Sequence, residues 1–228
     1  FALAANTTGA QNDAFGANTL ASNTTGSDNT AIGGWALQNN TTASYNVGIG
    51  RQTLQANTTG TRNIAIGYQA MVTNTTSTEN IAMGSYALKM NTTGDGNTAI
   101  GDAALNANTT ADNNTAIGNQ TLKINTTGAN NTAVGREALY ANTTGADGVA
   151  VGFEALKANT TGANNVGIGY RALNHNTTAG NNIAIGFEAL TTNVTGTANV
   201  GVGFQALKTS TGSNNTAIGD QAMEFTTT

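Results

Sequence analysis

The recurrent chemical feature of this chain is the motif Asn-x-Thr, which begins at twelve asparagines spaced 17 residues apart. Asn-x-Thr is the acceptor motif for N-linked glycans, so a chain that enters a glycosylating pathway could carry a glycan on each copy. The alternative is structural, because Asn and Thr side chains also hydrogen-bond to turns and can stack into ladders between repeats. The candidate acceptors are Asn6, Asn23, Asn40, Asn57, Asn74, Asn91, Asn108, Asn125, Asn142, Asn159, Asn176 and Asn193, with further scattered motifs at Asn39, Asn113, Asn119, Asn130 and Asn214.

A second candidate is a column of aromatic residues in four successive repeats, Phe153, Tyr170, Phe187 and Phe204. Stacked rings on an exposed face could contact sugars, and the more common use of such a column is to cover a seam or to pack one chain on another. We therefore predict a contact strip at these four positions.

Charged residues follow the same column, at Glu137, Glu154, Arg171 and Glu188. Arg171 lies between two carboxylates, so it should relieve their mutual repulsion along the stack. His175 is the only histidine, and the twelve acidic residues form no column of the kind that calcium-binding repeats need. We expect no catalytic residue, no metal and no cofactor.

The elements that must position these groups are columns of the repeat itself. One glycine recurs in all thirteen copies, which predicts a positive φ or a corner too crowded for a Cβ atom. Four residues earlier stands Asn in twelve copies and Gly148 in the other. Asn and Gly adopt the left-handed conformation most readily, so we predict that this column turns the chain into a strand.

The three residues between those columns alternate, as Thr30-Ala31-Ile32 illustrates. The first is mostly Thr, Val or Ile, the second is only Ala or Gly, and the third is aliphatic in nearly every copy, which predicts a strand. The third residue and the later leucine, such as Leu37, should seal the interior of a coil. The segment from the glycine to the leucine fits either a second short strand or one helical turn.

A period of 17 residues repeated along the whole chain is typical of a solenoid. We predict an all-β solenoid, or β-roll, of about thirteen coils that forms one repeat array over residues 1–228, as a fragment of a longer fibre. Both faces of the strand look buried. The Ala/Gly face suits a narrow interior, and three parallel chains about an axis would cover the Thr/Val/Ile face, so we favour a trimer over a single-chain rod.

Composition excludes several partners. The net charge is −4 with only eight Lys and Arg residues, which argues against nucleic-acid binding. Cysteine and proline are absent, so neither disulfides nor thiolate metal sites brace the fold. No apolar run approaches the roughly 20 residues of a membrane span, and we predict no membrane insertion in this segment.

The strand and its flanking columns resemble a known family. Asn29–Gly33 and Asn182–Gly186, each followed by two variable residues and Ala, resemble the head repeats of trimeric autotransporter adhesins, the YadA-like left-handed β-roll. Copies that carry Asn-Thr-Thr-Gly are also similar to repeats of bacterial and phage tail-fibre-like surface proteins. The resemblance implies a trimeric extracellular fibre used for attachment, although the Asn-Thr-Thr-Gly turn makes this coil longer than that of a typical adhesin head.

We therefore interpret the chain as a non-enzymatic structural segment of an extracellular adhesin or tail-fibre-like filament, on a cell surface or virion. Such a segment would mediate attachment or form a stalk. Its expected partners are copies of itself, as a homotrimer or filament, and a host-surface glycan or protein. Two alternatives stay open: an ice-binding solenoid with a water-ordering Thr ladder, and an N-glycosylated single-chain extracellular fibril.

Overall fold

The computed structural model describes residues 1–225, which are all β: they contain thirteen three-residue strands and no helix. None of these residues therefore belongs to a helix of the length and hydropathy that a membrane span requires. The strands are β1 (Asp13–Phe15), β2 (Thr30–Ile32), β3 (Val47–Ile49), β4 (Ile64–Ile66), β5 (Ile81–Met83), β6 (Thr98–Ile100), β7 (Thr115–Ile117), β8 (Thr132–Val134), β9 (Val149–Val151), β10 (Val166–Ile168), β11 (Ile183–Ile185), β12 (Val200–Val202) and β13 (Thr216–Ile218).

The chain consists of two compact units, one from Phe1 to Asn113 and the other from Asn114 onward. In the first unit, strands β1 to β6 pair in chain order, each parallel to the next. In the second unit, strands β7 to β13 pair in the same way. Each unit is therefore a β-solenoid whose coils stack in register, which confirms the predicted all-β solenoid. The single array over residues 1–228 stays a prediction.

The interior of each coil is narrow, and the middle residue of the strand faces into it. Ala31 and Leu37 are fully buried there, as are their equivalents in most coils. Where the middle residue is Gly48, an added Cβ atom would lie 3.1 Å from Thr53 Oγ1 and 3.4 Å from Leu37 Cδ1. A side chain larger than alanine has no room, and this explains why the column contains only Ala and Gly.

The first and third residues of each strand point away from that interior. The prediction that the third residue seals the interior with the leucine is wrong, because Ile32 is 40% exposed while Leu37 is buried. The prediction that both strand faces are buried is also wrong within one chain. Successive strand residues face opposite sides, so a middle residue that faces inward forces its neighbours outward. We call the outward first and third residues of β1–β13 the strand face.

The glycine after each strand turns the chain, with φ between +119° and +138° in all thirteen copies. Side chains of L-residues rarely adopt these angles. At Gly135 an added Cβ atom would also lie 2.6 Å from the carbonyl oxygen of Gly152 in the next coil. Both predicted reasons for the glycine, the positive φ and the crowded corner, are confirmed.

The turn that enters the strand differs from the prediction. The left-handed residue is the one before the asparagine, since Asp28, Tyr45 and Arg62 have φ values of +58°, +63° and +57°. Asn46 itself is fully buried, and its side-chain amide hydrogen-bonds to the next coil. The left-handed assignment of the asparagine column is therefore wrong. The column is asparagine because of its amide group and not because of its backbone angles.

The segment from the corner glycine to the leucine is a turn, and it is neither a second strand nor a helical turn. Trp35 and Leu37 adopt left-handed φ values of +62° and +49°. Trp35 N donates to Ala17 O in the preceding coil at 2.9 Å, and Leu37 N donates to Thr53 O in the following coil at 2.9 Å. A left-handed non-glycine residue costs about 1–2 kcal/mol, so these bonds to both neighbouring coils hold the turn in place.

The corner glycine can be tested against its own neighbour. Gly33→Ala would place a Cβ atom 2.7 Å from the carbonyl oxygen of Gly50 at φ +119°, whereas the nearest atom to a Cβ atom at Gly34 is 3.9 Å away. We expect Gly33→Ala to lower the free energy of unfolding by about 1–3 kcal/mol and Gly34→Ala to change it by less than about 0.5 kcal/mol. Denaturant titration followed by circular dichroism measures both, and equal effects would contradict the crowded corner.

Candidate functional site

The first asparagine of each Asn-x-Thr motif lies inside the coil and bonds to its counterpart in the coil before it. Asn40 Nδ2 donates to Asn23 Oδ1 at 2.9 Å, and Asn57 Nδ2 donates to Asn40 Oδ1 at 2.9 Å. The same nitrogen of Asn40 also donates to Ala43 O at 2.9 Å, which closes the turn. We call this column, which runs from Asn6 to Asn108 in the first unit and from Asn125 to Asn193 in the second, the sequon ladder.

A second ladder is formed by the asparagine that precedes each strand, which we call the corner ladder. Asn46 Oδ1 accepts the backbone N–H of Asn63 at 3.0 Å, and Asn46 Nδ2 donates to Gly60 O at 2.8 Å. That carbonyl of Gly60 also accepts a bond from Asn57 of the sequon ladder at 3.0 Å. One carbonyl oxygen, with its two lone pairs, therefore links both ladders in each coil.

These bonds confirm the structural alternative for the repeated motif, in which Asn stacks from coil to coil. The asparagines of the sequon ladder from Asn23 to Asn193 are buried, whereas Asn6 is exposed. A glycan is attached through Nδ2, and in the folded coil that nitrogen already donates two hydrogen bonds away from solvent. The geometry disfavours glycans on the buried acceptors, and glycosylation itself stays a prediction.

The scattered motifs have the opposite environment. Asn39, Asn113, Asn119, Asn130 and Asn214 are all exposed. The periodicity of the sequence emphasised the acceptors in register, which are the ones whose amides the fold uses. The exposed acceptors interrupt the period, and that irregularity was the signal that separates the two sets.

The two threonines of the motif also differ in environment. Thr41 Oγ1 donates to Thr58 O in the next coil at 3.1 Å, while Thr42 is exposed. The same contrast holds for Thr58 and Thr59, since Thr58 Oγ1 donates to Thr75 O at 3.1 Å. The exposed hydroxyls therefore form a single file. Ice binding by a threonine ladder stays a prediction.

The strand face is the largest feature that the sequence interpretation placed in the wrong environment. Ile64 is 36% exposed, and Ile183 and Ile185 are 37% and 38% exposed. Asp13 in β1 is the only charged residue among the first and third residues of the thirteen strands. Each unit thus presents an apolar row of Thr, Val and Ile residues to solvent, and such rows are typical of interaction sites.

The predicted aromatic contact strip lies in the second unit, and its rings stack on one another. The ring centroids of Phe153, Tyr170, Phe187 and Phe204 are 5.4, 4.9 and 5.4 Å apart in chain order, and the ring planes differ by 14°, 9° and 13°. The faces of the two inner rings are therefore covered by neighbouring rings, and the solvent meets the ring edges. Tyr170, Phe187 and Phe204 remain 40–46% exposed. We call these four residues the aromatic column.

Ion pairs line the aromatic column. Arg171 Nε lies 2.7 Å from Glu154 Oε2, and Lys157 Nζ lies 2.7 Å from both Glu154 Oε1 and Glu137 Oε2. Glu188 pairs with Lys208 at 2.9 Å. The predicted relief of repulsion by Arg171 is therefore present, with lysines from the position after the leucine as additional partners that the sequence interpretation did not include.

These pairs shift the acidity of the carboxyl groups. The hydrogen bond from Lys157 holds the pKa of Glu137 below its ordinary value. Burial raises the pKa of Glu154, but hydrogen bonds from Lys157 and Arg171 outweigh burial, and the net pKa is lowered. The carboxylates beside the aromatic column are thus charged near neutral pH and are already neutralised within the chain.

The remaining candidates for chemistry are isolated. His175 is exposed, and its Nδ1 lies 3.1 Å from Thr191 O. Among residues 1–225, no three His, Cys, Asp or Glu side chains converge as metal ligands, and no pocket is present. The sequence prediction that the chain carries no catalytic or metal site stays a prediction.

The sequon ladder is interrupted once in the second unit. Asn193 Oδ1 accepts the backbone N–H of Gly196 at 3.0 Å, and Asn193 Nδ2 donates to Gly196 O at 2.8 Å. Asn176 Oδ1 is consequently buried without a hydrogen-bond partner. This interruption coincides with Val194, which replaces the first threonine of the motif.

Comparison of the chain with protein-family models, with curated protein sequences and with solved structures gave no significant match.

The sequon ladder can be tested with two adjacent asparagines. Asn40→Ala would leave Asn23 Oδ1, Ala43 O and Asn57 Nδ2 each without one bond, whereas Asn39 is exposed. We expect Asn40→Ala to lower the free energy of unfolding by about 2–4 kcal/mol, since each buried unpaired group costs about 1–3 kcal/mol, and Asn39→Ala to have little effect. Denaturant titration measures both, and a stable Asn40→Ala variant would contradict the ladder.

The glycan prediction can be tested by secreting the chain from a glycosylating eukaryotic host. We expect peptide mass mapping of the folded protein to find Asn57 and Asn159 unmodified, because their Nδ2 atoms are buried and bonded. Any glycan should be confined to exposed acceptors such as Asn130. A glycan on Asn57 in the folded fraction would show that the ladder does not form.

Proposed function

We propose that this chain is a non-enzymatic structural segment of an extracellular fibre, of the adhesin or tail-fibre type, that mediates surface attachment or serves as a stalk. The observation that supports this proposal most directly is the strand face. It is apolar and uncharged from β2 to β13, yet a single chain leaves residues such as Ile32 and Ile185 exposed by 40% and 38%.

A partner with the same repeat fits this surface best, and the partner we propose is a second and third copy of the chain. Coils stack about 4.8 Å apart, so only a surface with the same spacing can match the strand face over its whole length. A parallel copy has that spacing by construction. Three copies about one axis would bury the strand face of each, as the resemblance to trimeric autotransporter adhesin heads implies.

The interior supports a load-bearing role. Each coil is tied to the next by strand bonds and by two rows of buried amides, such as Asn40 with Asn57 and Asn46 with Asn63. A segment of this kind transmits force along its axis through many parallel hydrogen bonds. We propose a location outside the cell, on a cell surface or virion, with a glycan or protein of a host surface as the target.

The proposed assembly can be tested with charged substitutions. We expect the purified chain to sediment at three times its 22.9 kDa mass, and the double variant Val166→Lys and Ile183→Lys to sediment as a single chain because lysines would be buried between apolar strand faces. The matched control is Asn164→Lys with Asn181→Lys, in an exposed turn column that already includes Arg62 and Glu79.

Sedimentation-velocity and equilibrium runs at micromolar concentrations measure all three proteins. A wild-type chain that stays monomeric, or a strand-face variant that still assembles, would contradict the proposal. Circular dichroism of each variant confirms that the coils remain folded.

A further inference from the structure

A repetitive interface leaves its axial register poorly defined. The strand face of the second unit presents Thr, Val or Ile followed by Ile or Val in every coil from β7 to β13. If two copies slide past each other by one coil, most of these contacts reform between equivalent residues. Apolar matching alone therefore does not select one alignment, and a unique alignment needs a feature that occurs in only some coils.

The aromatic column is such a feature. It occupies the position after the corner glycine in the coils of β9 to β12, and the same position holds Asn119 and Arg136 in the two coils before and Asp220 in the coil after. The block of four rings thus has a defined beginning and end within the second unit.

The strand face changes over the same four coils. Its first residue is Val149, Val166, Ile183 and Val200 in β9 to β12. In contrast, that residue is threonine in the flanking strands β7, β8 and β13. Strand face and aromatic column together give a patch of twelve apolar side chains, three from each coil, that is bounded by more polar coils on both sides.

Geometry and charge indicate what binds this patch. The inner rings cover each other's faces at 4.9–5.4 Å, so a ligand cannot stack on them and must contact ring edges. The neighbouring carboxylates of Glu154 and Glu188 are already paired with Arg171 and Lys208, so no charged partner is required. An uncharged surface with the coil spacing meets these conditions, and the same patch of a second copy is such a surface.

We propose that the aromatic column fixes the axial register between copies of this chain. The inference rests on the self-association proposed above. In the aligned assembly all four rings of one copy meet four rings of the next. A slip by one coil leaves one ring of each copy against a polar or charged residue of the flanking coils. Because one aromatic contact changes an equilibrium by up to about tenfold, we expect the aligned form to exceed the slipped form by about that factor.

The register can be read with introduced thiols, since the chain has no cysteine of its own. Thr115→Cys and Thr132→Cys place one thiol in the strand face of β7 and β8 respectively, outside the apolar patch. A disulfide needs Cβ atoms about 3.5–4.5 Å apart, so its formation distinguishes an aligned pair from a pair displaced by one coil of about 4.8 Å. The two variants are mixed, assembled and oxidised, and the products are separated by mass.

In this mixture we expect 115–115 and 132–132 disulfides to exceed the mixed 115–132 product by about tenfold relative to statistical pairing. Replacing all four rings with glutamine should bring the ratio to the statistical value while the assembly persists. The matched control introduces glutamine at four positions of the same column in the first unit, Arg51, Tyr68, Ser85 and Asp102, and should leave the ratio unchanged.

A shifted block provides a test that does not depend on losing the rings. Arg136→Phe with Phe204→Gln moves the block one coil toward the N terminus. When this variant carries Thr115→Cys and is mixed with chains that carry only Thr132→Cys, the rings overlap best with a displacement of one coil. The 115–132 disulfide should then become the main product.

Each other outcome overturns the inference. A statistical product ratio in the wild-type background, or a ratio that neither the glutamine variant nor the shifted block changes, shows that the aromatic column does not set the register. Assembly without any disulfide shows that the strand faces are not apposed. A chain that sediments as a monomer overturns the self-association itself, and sedimentation therefore separates that failure from failure of the register.

Discussion

The hydrogen bond between stacked asparagine amides is the interaction on which the rest of this structure depends. A coil of 17 residues encloses only one leucine and two or three small side chains, which is too little apolar surface to define its shape. The sequon ladder and the corner ladder occupy the remaining interior, and both reach the same carbonyl, as Asn57 and Asn46 do at Gly60. A buried amide that is fully bonded fixes geometry, whereas an unpaired one is costly. Each coil therefore requires its neighbours in register.

That requirement explains the other features of the repeat. The interior has room only for Ala or Gly in the middle of the strand, so the larger residues of the strand must face outward. The corner glycine must lack a Cβ atom because coils stacked by the amides bring its carbonyl neighbours within 3 Å. Turns with left-handed Trp35 or Leu37 persist because they bond to coils on both sides. The exposed apolar face is thus a consequence of the narrow interior, and it supports our proposal that several chains pack together.

The sequence was sufficient to predict the solenoid, the corner glycine and the coil-to-coil stacking of asparagine, because each depends on a property that one column shows in every copy. It was insufficient where two physical causes produce the same residue. Asparagine favours both left-handed angles and buried amide bonds, so Asn46 was assigned to a turn conformation that its predecessor Tyr45 adopts. An aliphatic residue suits both a core and an interface, so Ile32 was placed inside. The pairing of Glu137 and Glu154 with Lys157 depends on how adjacent columns face each other, which spacing alone does not encode.

The side-chain amide protons of the asparagines test the account most directly. In ¹⁵N–¹H correlation spectra recorded after transfer into D₂O, we expect the Nδ2 protons of ladder residues such as Asn40, Asn57 and Asn159 to persist for hours, because they are buried and bonded to carbonyl oxygens. The Nδ2 protons of exposed Asn39 and Asn130 should exchange before the first spectrum. If all asparagine amides exchanged at the same rapid rate, the coils would not be joined by buried amide ladders, and the account of the fold and of its exposed apolar face would be wrong.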